Sequence, residues 1–175
     1  MQPIAFGDKR IGPGEPVFVI CEGGLTNYGE IELAKKQIDA AVAAGADVIK
    51  FQAWKTEDLI SRKVAKRLEP ELGYDWFERI KYKEFSGDQL RGLQAYAAEK
   101  GILWFATPHD EWGLDILDKE LNVAAFKIGS GESHNFHFLK KVGKRGKPVI
   151  ISFGLQSDDE AVQAIKTLQD AGATG

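Results

Sequence analysis

Five short apolar runs, at residues 17–22, 47–52, 102–107, 124–130 and 148–152, alternate along this chain with stretches of helical period. That alternation constrains the fold more than any other feature. Strand–helix–strand units bury their apolar faces by laying the strands parallel and the helices outside. Residues 30–44 place Ile31, Ala34, Ile38, Ala41 and Val42 on one face and stop at Gly45. Residues 88–100 repeat the scheme with Leu90, Leu93 and Ala97 before Gly101, and residues 111–120 and 136–143 give shorter versions. The last helix opens on Ser157-Asp158-Asp159-Glu160, a capping-box signature, and runs through Val162, Ile165 and Leu168 to Gly172. The class is α/β with a parallel sheet.

An open doubly wound sheet and a (β/α)8 TIM barrel both satisfy the alternation. The dinucleotide fingerprint G-x-G-x-x-G does not follow the first run, and no P-loop sequence occurs. The strand ends favour the barrel. Read with period two, Phe18, Ile20 and Glu22 share a face, as do Val48, Lys50 and Gln52, Leu103, Phe105 and Thr107, Ala125 and Lys127, and Ile150 and Ser152. The alternate face, with Val19, Cys21, Ile49, Phe51, Trp104, Phe126, Ile128 and Ile151, suits packing on helices. Each run then ends in a polar residue on its inner face at its C-terminal end, where a barrel builds its active site. The chain is expected to supply about the first five βα units. A whole barrel takes about 250 residues, and a sixth strand is due after Ala171-Gly172-Ala173-Thr174-Gly175. The 175 residues therefore read as the N-terminal portion of a larger enzyme, whose open strand edges invite a homo-oligomer. Residues 53–85, with Trp54, Tyr74, Trp76, Phe77 and Tyr82 among charges, read as an extra helix and a surface loop, or as a lid.

Lys50 and Lys127 lie inside runs that are otherwise buried strands, and a lone ammonium there is very costly. Three explanations stand. Glu22 and Glu132 could neutralise the lysines as ion pairs. An anionic ligand, phosphate or carboxylate, could do so together with the hydroxyls of Thr107, Ser130 and Ser152. A Schiff-base lysine, for which Lys127 is the better candidate, would be deprotonated by desolvation. His109, His134 and His137 are scattered and read as exposed or capping residues, Cys21 as a packed, unreactive thiol, and Gly129, Gly131 and Gly154 as tight-turn residues.

Other classes are disfavoured. The net charge of −3, with 23 basic and 26 acidic residues interspersed, offers no stripe for nucleic acid. No apolar run nears the ~20 residues of a membrane span, and the N-terminal ten residues lack signal-peptide character. One cysteine fits a reducing compartment, so a soluble cytoplasmic protein is expected.

The same residues carry a resemblance. Ile20-Cys21-Glu22-Gly23-Gly24, Ala44-Gly45-Ala46-Asp47-Val48-Ile49-Lys50-Phe51-Gln52, Phe105-Ala106-Thr107-Pro108, Phe126-Lys127-Ile128-Gly129-Ser130-Gly131-Glu132 and Gly146-Lys147-Pro148-Val149-Ile150-Ile151-Ser152 come in order over residues 16–175. In these pieces the chain resembles the N-terminal part of the sialic acid synthases, the phosphoenolpyruvate-dependent N-acetylneuraminate synthase family. The resemblance implies a barrel that condenses phosphoenolpyruvate with an N-acetylated amino-sugar aldehyde, N-acetylmannosamine or a relative, releasing phosphate. It implies that Lys50, Gln52, Thr107, Lys127, Ser130 and Ser152 bind phosphoenolpyruvate and that Glu132 and Glu22 serve catalysis. It also implies a divalent metal, usually manganese, held by histidines from later strands, so that no metal ligand is expected within these residues. Thr26-Asn27 departs from the Asn-His that the family often has, and the antifreeze-like C-terminal domain common there is not expected within these 175 residues. The 175 residues alone are expected to bind metal poorly and turn over little. Another phosphoenolpyruvate–aldose synthase and a non-catalytic phosphate- or sugar-binding half-barrel are the competing readings.

Overall fold

The computed structural model describes residues 3–154 and 156–175; Met1, Gln2 and Leu155 lie outside the described residues. Its first element is one that the sequence period did not announce: a hairpin of β1 (Ile4–Phe6) and β2 (Lys9–Ile11), paired antiparallel with Ile4 opposite Ile11. Strands of three residues are too short to display a period. The hairpin drives Phe6 against Phe18 and Phe105, with ring centroids 5.0 and 5.1 Å apart. Burying such a ring contributes about 1.5–3 kcal/mol. Lys9 pairs with Asp47 at 2.6 Å, and the other Asp47 oxygen accepts the Val19 N–H at 2.7 Å. One carboxylate thus ties the hairpin to the N-terminal ends of two strands, opposite the polar strand ends.

The anticipated strands are β3 (Ile20–Glu22), β4 (Val48–Ala53), β5 (Leu103–Pro108), β6 (Phe126–Ile128) and β7 (Val149–Ile151). β3, β4 and β5 form one parallel ladder and β6 and β7 another. β5 lies beside β6 although no ladder joins them among the described residues. The anticipated face assignment holds. Phe18 and Phe105 meet Phe6 on one side of the sheet, while Phe51 stacks on Trp104 at 6.3 Å and meets Phe85 on the other. The first strand is shorter than the apolar run that foretold it: Val17 is 86% exposed, with no neighbouring strand to cover it among the described residues.

The helices are α1 (Ile31–Ala43), α2 (Thr56–Leu59), α3 (Arg62–Leu72), α4 (Trp76–Lys81), α5 (Gly87–Glu99), α6 (Glu111–Asp115), α7 (Phe136–Gly143) and α8 (Asp158–Ala171). The Ser157–Glu160 capping box forms at α8, and a second, Ser86–Gln89, opens α5. The anticipated helix over 111–120 divides instead into α6 and a π-helical turn, Ile116–Glu120. The segment 53–85 corrects its plainer reading: it holds three helices, α2 to α4, with a small core of Ile60, Ala65 and Phe77 backed by Trp76 and Ile80.

Candidate active site

The inner residues of the strands deliver charges to the C-terminal ends of the strands. Glu22 on β3 and Lys50 on β4 are register partners, and their side chains form an ion pair. The Lys50 side chain is 9% exposed and that of Glu22 53%, so the ammonium is buried and its counter-charge meets solvent. Two residues further along β4, Gln52 pairs with the buried Thr107 of β5. Lys127, on β6, donates to the Ile128 carbonyl at 2.6 Å and to the Ser152 hydroxyl at 2.7 Å. Among the described residues it has no carboxylate within ion-pair distance. Burial and then the positive charge of Lys50 push the Lys127 ammonium below its ordinary value, and the negative charges of Glu22 and Glu132 oppose them. Ser130 follows β6, 3.5 Å from where a side chain on Gly154 would begin.

The turn after β6 brings in Glu132. Its Oε1 lies 2.8 Å from His109 Nδ1, and His109 Nε2 lies 3.0 Å from Gln52 Oε1. Burial would raise the Glu132 carboxyl, but the hydrogen bond and charge of His109, with help from Lys127, hold it below the ordinary carboxylate range. Its other oxygen, Oε2, is buried with no hydrogen-bond partner among the described residues. A Cβ on Gly129 would stand 2.7 Å from that oxygen, so the glycine serves here by its lack of a side chain.

Beside this trio lies a cavity of about 460 Å³ lined by Gln52, His109 and Glu132 on the polar side and by Leu25, Trp54, Trp76 and Ile80 among its apolar residues. The inserted helices therefore form one of its walls, which is closer to the lid reading than to a surface loop. Glu84 anchors them: it accepts from Lys55 at 2.9 Å, from the Thr56 N–H and hydroxyl at 2.8 Å each, and from Lys81 at 3.0 Å. Burial would raise its carboxyl, yet these bonds bring it down to about 2. Gly29, at φ 75°, lets the loop after β3 pass against the Tyr82 carbonyl, where a side chain would begin only 2.4 Å away.

Comparison with known proteins decides the family. Residues 37–175 match the model of the NeuB family. The chain belongs to the NeuB family. Within it, the chain is 39% identical over 164 residues to the N-acetylneuraminate-9-phosphate synthase of Homo sapiens, covering 92% of this chain and 45% of that relative. It is 34% identical over 160 residues to the N,N'-diacetyllegionaminic acid synthase of Campylobacter jejuni, covering 89% and 47%. The crystal structure of an N-acetylneuraminic acid synthetase from Leptospira borgpetersenii, in complex with citrate, superimposes with a TM-score of 0.82 at 33% identity, over 98% of this chain and 56% of that one. The chain spans about half the length of the curated relatives it matches.

In this NeuB-family chain the anticipated residues fall into two groups. Glu22 and Lys50 form one pair, Lys127 and Ser152 another, and the effect of Lys50 on the Lys127 ammonium places the two cations within each other's field. Gln52 and Glu132 join through His109. The reading of His109 as an exposed or capping residue is corrected: it is half-buried and bridges two anticipated site residues. Its position directly after Thr107-Pro108, at a strand's C-terminal end, is the signal that could have found it. His134 does lie exposed, 3.3 Å from Glu160. Asn27 is buried and holds its own loop by accepting the Gly29 N–H at 3.0 Å. Among the described residues no three His, Cys, Asp or Glu side chains converge as a metal site, and no helix is long and apolar enough to cross a membrane.

Proposed function

We propose that the chain is the first five βα units of a (β/α)8 barrel and carries the phosphoenolpyruvate half of a nonulosonic acid synthase site. The acceptor is an N-acetylated amino-sugar aldehyde, N-acetylmannosamine or a relative. The observation that carries the reading is Lys127: a half-buried ammonium held by a hydroxyl and a carbonyl, beside a second cation, with an anion still wanting. Phosphoenolpyruvate supplies both a phosphate and a carboxylate. Lys50, Lys127, Thr107, Ser130 and Ser152 hold them, and Glu22 pairs with Lys50 and keeps it in place before substrate arrives.

The chemistry asks for little more from this half of the site. The methylene carbon of the enol phosphate attacks the aldehyde carbon, whose oxygen takes up a proton to become a hydroxyl. Water adds to the cationic carbon left behind and loses a proton, and the resulting hydroxyl gives up its own proton as the C–O bond to phosphate breaks to leave the 2-keto acid. Glu132, ionised at neutral pH, sits beside the reacting carbons, where it stabilises positive charge and takes a proton from the attacking water. Gln52 lines the same phosphoenolpyruvate pocket. A divalent metal held by histidines of later strands would polarise the aldehyde as a Lewis acid, while the residues described here hold and orient phosphoenolpyruvate.

The test is phosphate release from phosphoenolpyruvate by the full-length protein, with N-acetylmannosamine, its 6-phosphate and a diacetamido-deoxy relative as acceptors. Release with none of them refutes the proposal. One observation favours a second reading: the lowered Lys127 ammonium is what a Schiff-base lysine requires. Borohydride trapping with pyruvate separates the two, since it labels Lys127 in an aldolase and nothing in the synthase.

A further inference from the structure

His109 is held from several sides. Its N–H bonds to the Ala53 carbonyl at 3.0 Å, and its ring meets Trp54 edge-on at 6.2 Å. The next residue, Asp110, caps α6 by accepting the Gly113 N–H at 2.5 Å and also accepts the Lys55 N–H. The imidazole has little freedom to turn away from Glu132.

Its protonation follows from its partners. Glu132 is a carboxylate and can only accept, so Nδ1 carries the proton in the 2.8 Å bond. Nε2 faces Gln52, whose amide can present its oxygen or, turned over, its NH2. A doubly protonated ring donates to the oxygen, and a neutral ring accepts from the NH2. Either arrangement preserves the Nδ1–H bond to Glu132. The bond commits Oε1 and leaves Oε2, the buried oxygen beside Gly129, with an unfilled acceptor position. A buried carboxylate oxygen with no partner is costly, which leaves the His109 bond to Oε1 as the side-chain contact that holds the carboxylate in place.

We infer that His109 is the positioning residue of this site: bonded to both side chains, it fixes the Glu132 carboxylate and the Gln52 amide at the wall of the cavity that all three line. This rests on the synthase reading above. The charged groups around the pair are Lys127 on β6, Asp110 at the start of α6 and Glu132 itself in the turn after β6.

The test uses the full-length protein with His109→Phe, which keeps the ring's packing against Trp54 but loses both nitrogens, and His109→Asn, which retains a donor for Glu132. The readout independent of turnover is the carbon-13 carboxyl titration of Glu132, assigned through Glu132→Gln. Its midpoint rises in His109→Phe and returns toward the wild-type value in His109→Asn. In phosphate release, His109→Phe lowers kcat by roughly 10- to 100-fold, as misplacement of a reacting group does. The KM for phosphoenolpyruvate stays within about twofold, and the acid limb of the kcat–pH profile moves to higher pH. A folded His109→Phe protein with the wild-type carboxyl midpoint overturns the inference, as does a raised KM with unchanged kcat. If the wild type releases no phosphate with any acceptor, the synthase reading falls, and the carboxyl titration alone decides whether His109 governs Glu132.

Discussion

Replacing Glu22 by Gln leaves the Lys50 ammonium buried with Lys127 nearby and no counter-charge, and the cost of that step measures how the strand rim is held. A fully buried pair broken on one side costs about 3–5 kcal/mol, and an exposed pair contributes about 0–1 kcal/mol. This pair lies between the limits, because the Lys50 side chain is 9% exposed and that of Glu22 53%. Solvent around Glu22 screens the interaction, which brings the expected loss to about 2 kcal/mol. The assay is urea unfolding of the full-length protein followed by tryptophan fluorescence, in which Trp104 reports from the strand beside Lys50. Lys50→Met removes the ammonium and keeps most of its stem. In that background Glu22→Gln is expected to cost nothing measurable, giving a coupling energy of about 2 kcal/mol in the double-mutant cycle. Under the proposed function, saturating phosphoenolpyruvate narrows the gap between Glu22→Gln and the wild type, since the ligand supplies the missing anion. A loss below about 0.5 kcal/mol, or the same loss with and without Lys50, would refute the reasoning.

Three further outcomes are expected. Gly129→Ala fits its backbone but displaces the end of the Glu132 side chain, so stability changes by under about 1 kcal/mol while phosphate release falls at least about tenfold; thermal melts and turnover together check it. Glu84 has its carboxyl lowered from the ordinary 4.5 to about 2, so its contribution is present in full above about pH 4.5 and fades as pH falls toward 2. Glu84→Gln therefore costs about 1–2 kcal/mol at pH 7, discounted for its partly exposed lysines, and the difference in urea midpoint from wild type shrinks between pH 5 and pH 2. Phe6→Ala empties the contact with Phe18 and Phe105 and is expected to cost about 3 kcal/mol by urea unfolding; a loss under 1 kcal/mol would mean that the hairpin plugs nothing.

The sequence by itself determined the order of the five parallel strands and of the longer helices between them, and the face that each strand residue occupies. Those are local properties: a period of two or 3.6 and a capping residue can be read within a dozen positions. They sufficed to put Lys50, Gln52, Thr107, Lys127 and Ser152 at the ends of parallel strands. What the tertiary structure alone decided was partnership. Lys50 takes Glu22 and Lys127 takes Ser152, a choice between two carboxylates and several hydroxyls that strand register and curvature make. His109 reaches Glu132 and Gln52 across 23 and 57 residues of chain, so no window around it shows either partner. The inserted helices likewise became a cavity wall only through Glu84 and the Gly29–Tyr82 contact, which join segments remote in sequence. Patterning settles which residues are buried and on which face, whereas a buried charge is settled by whichever group lies within a few ångströms of it, and only the assembled strands set that distance.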